Sequence, residues 1–246
     1  MDKRLVNKYC RKFGFEVHGA GYIQSVAKQS FKEDAFIVQR DQLNGQVKTI
    51  FDLGANRGDT VARYLQLFPS AMIYAFEPFI ESFKILNERF KENPRVTCHA
   101  LAISNREGEN IFYVNKNVDT NSLLRPKETG LSSDRQVENK DQIKVQATTL
   151  GKFCLTNGIS TIDILKMDIQ GGELAALQGV ENLLKDQRIK LIYTETYFIQ
   201  QYDQQPLFHD ISKFLFNYNY VLKDIYSPIY GKGNLSWADV IFVSKI

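Results

Sequence analysis

Residues 49–60 read TIFDLGANRGDT. An apolar run from Thr49 to Leu53 breaks at Gly54, and a helical pattern follows: Val61, Tyr64, Leu65 and Phe68 recur at i, +3, +4 and +7. Pro69 ends that pattern. A buried strand that turns through glycine straight into a helix opens a parallel α/β unit. The turn also selects its ligand. A dinucleotide fingerprint needs G-x-G-x-x-G, so that backbone can approach a pyrophosphate at a helix N-terminus. Here Gly54 and Gly58 are separated by three residues, and Asn56 stands where the second fingerprint glycine belongs. Asp52 lies just before the turn, where its charge would repel a diphosphate. The loop suits a nucleoside that carries a cationic group.

The same rhythm continues outward. Residues 71–76 read as a second strand, and Phe79, Phe83, Leu86 and Phe90 as an amphipathic helix that stops near Asn93 and Pro94. Residues 95–100 read as a third strand, Ile162–Met167 as a fourth and 190–194 as a fifth. Leu174, Leu177, Val180 and Leu184 predict one helix after the fourth strand. Pro206 opens another that carries Leu207, Ile211, Phe214, Leu215 and Tyr218. Residues 220–225 and 238–244 close the chain as two strands, with Trp237 just ahead of the second. Asp239 inside that apolar run suits an edge or site-facing position. Strand–helix alternation of this kind predicts an α/β, Rossmann-like fold: a doubly wound, mostly parallel sheet with helices on both faces.

Two regions depart from the rhythm. Residues 1–47 begin with Lys3, Arg4, Lys8, Arg11 and Lys12 and read as a helical extension, leaving 48–246 as the main domain. Between residues 115 and 142 only Val118, Leu123, Leu124, Leu131 and Val137 are apolar. Strand-like runs at 110–114 and 143–148 flank this polar insert, which reads as a mobile loop beside the site.

Composition narrows the function. The 246 residues include 31 Lys+Arg and 28 Asp+Glu, a formal net charge of +3. That balance leaves no electrostatic footprint for nucleic acid. The longest uninterrupted apolar run, 71–76, is far too short to span a bilayer. No apolar signal region opens the chain. Cys10, Cys98 and Cys154 form no metal-binding spacing and suit free thiols, so a cytoplasmic location is the expectation.

Ligands of open α/β sheets bind beyond the carboxyl ends of the strands. Those ends carry Asp52–Gly58, Glu77 and Pro78, Ala102–Ser104, Asp168–Glu173 and Glu195. Four of the five hold a carboxylate. Asp52 would suit a cationic group such as the amino-acid end of S-adenosylmethionine. Glu77, at the second strand's end, can accept two hydrogen bonds from a ribose diol, or can cap the helix that Phe79 begins.

TIFDLGANRGDT, YAFEPF (74–79), ALAIS (100–104), TTLGKFC (148–154), ILKMDIQGGELAALQG (164–179) and the closing ADVIFVSK (238–245) together resemble the FkbM-type class I S-adenosylmethionine-dependent methyltransferases. The resemblance implies a seven-stranded sheet with its last strand antiparallel, S-adenosylmethionine as cofactor, and O-methylation of sugars, polyketides or related small molecules. Residue by residue, it implies that Asp52, Gly54, Asn56 and Gly58 form the cofactor loop, that Glu77 holds the ribose, and that Ala102 lies against adenine. Asp168 would stand next to the sulfonium and the acceptor. The family pattern D-x-E-G is broken by Gln170.

For a hydroxyl acceptor Asp168 is the first candidate base and Glu195 the second. The competing role for Asp168 is a structural cap on the following helix. Asp168, Glu173 and Glu195 could hold Mg²⁺, but with glutamine at position 170 a metal-free site is preferred. His209 reads as a surface residue, and His18 and His99 have no assigned role. The Asn121–Leu123 patch could face the acceptor, but ordinary loop polarity is the preferred reading. No [DN]-P-P-[YF] sequence follows the fourth strand, which argues against N-methylation of bases. The expected partner is therefore a small-molecule or glycan substrate. Two other readings stand beside an O-methyltransferase: an inactive cofactor-binding module, prompted by Gln170, and a nicotinamide-dependent reductase, opposed by Asn56.

Overall fold

A computed structural model of the chain describes residues 34–127 and 137–245. The basic start, Cys10, His18 and the middle of the polar insert lie outside the described residues. One compact unit runs from Ala35 onward. Its first helix, α1 (Ala35–Gln42), buries Phe36 in the same core as Val47. Residues 35–47, assigned by sequence to an N-terminal extension, thus belong to the main unit, where Ala35, Phe36 and Val47 pack with Ile50, Val61 and Tyr64.

The elements that follow are β1 (Thr49–Leu53), α2 (Asp59–Leu67), β2 (Met72–Phe76), α3 (Ile80–Phe90), β3 (Val96–His99), β4 (Ala102–Ser104) and β5 (Gly108–Asn115). After a short 3₁₀ turn at Val118–Thr120 come β6 (Asn139–Thr149), α4 (Leu150–Thr156), β7 (Ile162–Met167), α5 (Glu173–Gln178), α6 (Glu181–Lys185) and β8 (Ile189–Tyr197). The chain closes with α7 (Phe208–Asn217), β9 (Tyr220–Gly231) and β10 (Asn234–Ser244).

Seven strands form one sheet in the order β3-β2-β1-β7-β8-β10-β9. β1 is parallel to both β2 and β7, and β10 is antiparallel to both neighbours. Successive residues of the central strands enter opposite cores. Phe51, Leu165 and Ile192 pack with Phe153, Leu177, Leu184 and Leu215 on one face. Ile50, Ile164 and Leu191 pack with Phe36, Val61, Tyr64 and Leu86 on the other. Burial on both faces is why β1, β7 and β8 read as continuous apolar runs rather than alternating ones. Each large side chain so buried contributes roughly 1.5–3 kcal/mol.

Some expectations change. The third strand ends at His99, and Ala102–Ser104 forms its own short strand in a second sheet, ordered β4-β6-β5. The runs flanking the insert pair with each other as β5 and β6. The single helix predicted after β7 breaks into α5 and α6 at Gly179 and Val180. The closing hairpin is longer than its apolar runs, so Trp237 lies within β10 rather than before it. Asp239 is not at an edge, since β10 lies between β8 and β9; it accepts a hydrogen bond from Tyr193 Oη at 3.0 Å. Among the described residues no helix is long and apolar enough to cross a membrane.

Candidate functional site

The strand order reverses between β1 and β7, and there the ends of β1, β2 and β7 surround a cavity of about 430 Å³. That volume falls within the range of small-molecule sites. Its walls come from the β1 turn (Gly54, Asn56), Glu77, Ala102, Lys166, Asp168 and Gln170, and from the start of the polar insert.

The β1 turn is shaped by close approach. Gly54 has φ +76°, and a Cβ there would lie 2.0 Å from the Asp168 carbonyl oxygen. The turn can therefore pass against the end of β7 only without a side chain. Gly58, at φ +86°, would drive a Cβ to 2.4 Å from the Phe90 ring. It stands ahead of α2 and packs on α3, away from the cavity wall, so its part in the loop is structural. Asn56 has φ +47°, a region asparagine tolerates. Its Nδ2 donates to Asp119 Oδ1 at 2.8 Å, and its backbone N–H donates to Glu77 Oε2 at 2.9 Å.

Glu77 also accepts the Phe79 N–H at 2.8 Å, so it caps the α3 start while facing the cavity. Burial pushes its carboxyl up to about 7, against the pull of those two backbone donors. Each carboxylate oxygen keeps acceptor capacity for a further donor. Behind Glu77, the apolar wall is Phe76, Leu101, Ala102, Ile103 and Phe112.

Asp52 does not line the cavity. It is fully buried and forms an ion pair at 2.9 Å with Lys166, its register partner on β7. Lys166 Nζ also donates to the Gly54 carbonyl at 3.1 Å. Burial raises the Asp52 pKa. Burial opposes the Lys166 ammonium, yet Asp52 and Asp168 outweigh it and leave that pKa above its ordinary value. The expectation of Asp52 as a direct ligand contact is thus replaced by an internal pair that carries the loop.

Asp168 reaches the cavity wall, and Glu195 lies behind it. Gln170 joins them: its Nε2 donates to Asp168 Oδ1 at 2.7 Å and to Glu195 Oε2 at 2.8 Å. Gln170 Oε1 accepts from Tyr197 Oη at 2.8 Å and Tyr202 Oη at 3.1 Å. The amide satisfies two carboxylates without adding a third charge. Glu173 is buried at the α5 start, accepts the Ile169 N–H at 3.1 Å, and is pushed up to about 8 by burial, with Glu195 and Asp168 adding to the shift. Among the described residues no three His, Cys, Asp or Glu side chains gather as a metal site. His99 stacks on Phe76 at 5.0 Å, and His209 is exposed.

The start of the insert lies beside the site, as expected, and forms part of its wall. Val118, Asp119, Asn121 and Leu123 line the cavity. Ser122 Oγ donates to the Gln170 carbonyl at 2.7 Å, and Tyr202 Oη to that of Thr120 at 2.7 Å. The Asn121–Leu123 patch is therefore wall, not loop surface. Asn56 Oδ1 and Asn121 Nδ2 are buried without a hydrogen-bond partner, the condition of a wall built for a polar ligand.

The residues present fit S-adenosylmethionine: an apolar slot for a base, a carboxylate for a diol, and charges of both signs for a zwitterionic tail. Neither Asn56 nor the buried Asp52 offers the glycine-lined approach that a diphosphate needs. Lys166, Asp119 and the two tyrosines were missed by sequence reasoning, and Gln170 was read only as a break in the D-x-E-G pattern. Of the missed residues only Lys166, a charge inside the apolar run ILKM, carried a signal.

Comparison with known proteins agrees. The Methyltransferase FkbM domain matches residues 52–222. The 2-O-methyltransferase NoeI of Sinorhizobium fredii is 30% identical over 152 residues, which are 59% of this chain and 62% of that protein. Among solved structures, an rRNA methylase from Streptococcus thermophilus aligns over 88% of this chain and 100% of its own, with TM-score 0.47 and 10% identity. TrmK from M. capricolum, in complex with S-adenosylhomocysteine, aligns over 86% of this chain and 69% of its own, with TM-score 0.45 and 12% identity. These structural likenesses are weak, and the assignment rests on the family match and on the strand-end residues. The chain belongs to the FkbM methyltransferase family and carries that domain on a Rossmann-like sheet.

Proposed function

We propose that the protein transfers a methyl group to a hydroxyl oxygen of a sugar, glycan or small secondary metabolite. The observation that carries this reading is Asp168: a carboxylate on the cavity wall, its Oδ1 tied by Gln170 and backed by Glu195. The name of the NoeI relative supports oxygen as the acceptor atom.

S-adenosylmethionine supplies a methyl carbon on a sulfonium, an excellent leaving group. The chain therefore has to align the acceptor, exclude water and take a proton. Glu77 accepts the ribose hydroxyls, and Ala102 with Phe112 and Ile103 flanks the adenine. Gly54 and Asn56 shape the turn directly; Gly58 and Asp52 do so from beneath, through α3 and Lys166. Asp168 takes the acceptor's proton, and Glu195 positions it through Gln170. The insert residues Val118–Leu123 close the wall against water.

The test is methyl transfer from labelled S-adenosylmethionine to a panel of glycans and hydroxylated metabolites. Asp168→Asn is expected to lower the rate about 10²–10⁴-fold, with cofactor binding retained. Transfer only to nitrogen acceptors, or an Asp168→Asn variant as fast as the native protein, overturns the reading.

A further inference from the structure

Lys166 is a cation in an unusual place. It lies in β7 within an apolar run, is almost wholly buried, and still forms part of the cavity wall. A buried ammonium must be paired and hydrogen-bonded to persist. It has three N–H donors. One is directed at Asp52 Oδ1 at 2.9 Å and one at the Gly54 carbonyl at 3.1 Å. The third has no other acceptor among the described residues, on a side chain that borders the cavity.

Asp52, in turn, is fully buried, paired to Lys166 and absent from the wall. The cavity wall carries two cations, the exposed Arg57 and the buried Lys166, beside the carboxylates Asp59, Glu77, Asp119 and Asp168. A buried ammonium fixed at a strand end complements a ligand carboxylate. Asp52 keeps the ammonium charged by offsetting its desolvation, and the Gly54 contact sets its position at the turn.

We propose that Lys166 is the anchor for the carboxylate of the cofactor's amino-acid tail, with Asp52 acting through it as a positioning residue. The ligand chemistry is an α-amino carboxylate, held by a charge-assisted hydrogen bond from a cation already oriented by the loop. This rests on S-adenosylmethionine being the cofactor and not on the identity of the methyl acceptor.

Calorimetry with S-adenosylhomocysteine and with S-adenosyl-3-thiopropylamine, which lacks only the carboxylate, tests it. The native protein is expected to bind S-adenosylhomocysteine at least about tenfold more tightly. Lys166→Met alone would leave Asp52 buried and unpaired, so the variant of choice is Asp52→Asn with Lys166→Met. In that double variant the two ligands are expected to bind within about threefold of each other, and the amine as tightly as it binds the native protein. Equal binding of both ligands by the native protein overturns the proposal without any variant. So does a double variant that keeps the preference, or one that weakens both ligands alike, which would make Lys166 only a prop for the loop. Failure of the native protein to bind either ligand would instead refute the cofactor site, and the lysine's role with it.

Discussion

Glu77 sits close to its own titration point. Its carboxyl, raised by burial to about 7, is half protonated near neutrality before a ligand binds. Hydroxyl donors from a ribose favour the charged form, so binding must pull the pKa down. Affinity for S-adenosylhomocysteine is therefore expected to weaken as pH falls below 7 and to level off above it. Glu77→Gln is expected to bind at least about tenfold more weakly at pH 8 and to lose this pH dependence. Calorimetry across pH 5.5–8.5 checks both, and a native profile flat through that range would contradict the assignment. Gly54 makes a separate demand. With a Cβ placed 2.0 Å from the Asp168 oxygen, Gly54→Ala is expected to cost more than about 2 kcal/mol of stability, read from denaturant unfolding.

At the scale of elements, the start of the insert is held by contacts to distant parts of the chain. Asp119 accepts from Asn56, Ser122 donates to the Gln170 carbonyl, and Tyr202 donates to that of Thr120. Loss of the first two, in an Asp119→Ala, Ser122→Ala variant, is expected to speed amide exchange across Val118–Leu123 and leave β1 and β7 protected. Unchanged exchange there would show that the wall does not depend on those bonds. The same contacts explain what the sequence could and could not reveal. β1, β7 and β8 were legible because strands buried on both faces are apolar throughout. The site's position was legible because Asp52, Glu77 and Asp168 fall at the ends of β1, β2 and β7, although Glu195 lies within β8 rather than beyond it. The order in residues 117–127 was not, because polar side chains carry no sign of a partner 48 to 82 residues away. Asp52 was misread for the same reason: only the register between β1 and β7 puts Lys166 opposite it. Gln170 reads as a lost carboxylate in sequence, whereas its contacts make it a neutral bridge between two others.

For the whole molecule, the buried acids set the pH dependence of stability. Glu173 at about 8 and Glu77 at about 7 both lie above their ordinary value of 4.5. A pKa raised by folding favours the native state while the group is protonated, and that contribution is lost as pH rises through the folded value. Without ligand, Tm is therefore expected to fall between pH 5 and pH 9 on account of these two groups. Glu173→Gln keeps an acceptor for the Ile169 N–H and removes the buried charge. Its Tm is expected to fall less over that range and to exceed the native value at pH 9. A variant that matches the native curve would place the loss elsewhere.

The central claim is that the cavity between the ends of β1, β2 and β7 holds the methyl donor's nucleoside. A crystal structure of the protein with S-adenosylhomocysteine tests it most directly. The account predicts ribose hydroxyls within hydrogen-bonding distance of Glu77 and the adenine between Ala102 and Phe112. Density for the ligand at any other place, or a ribose turned away from Glu77, would contradict it.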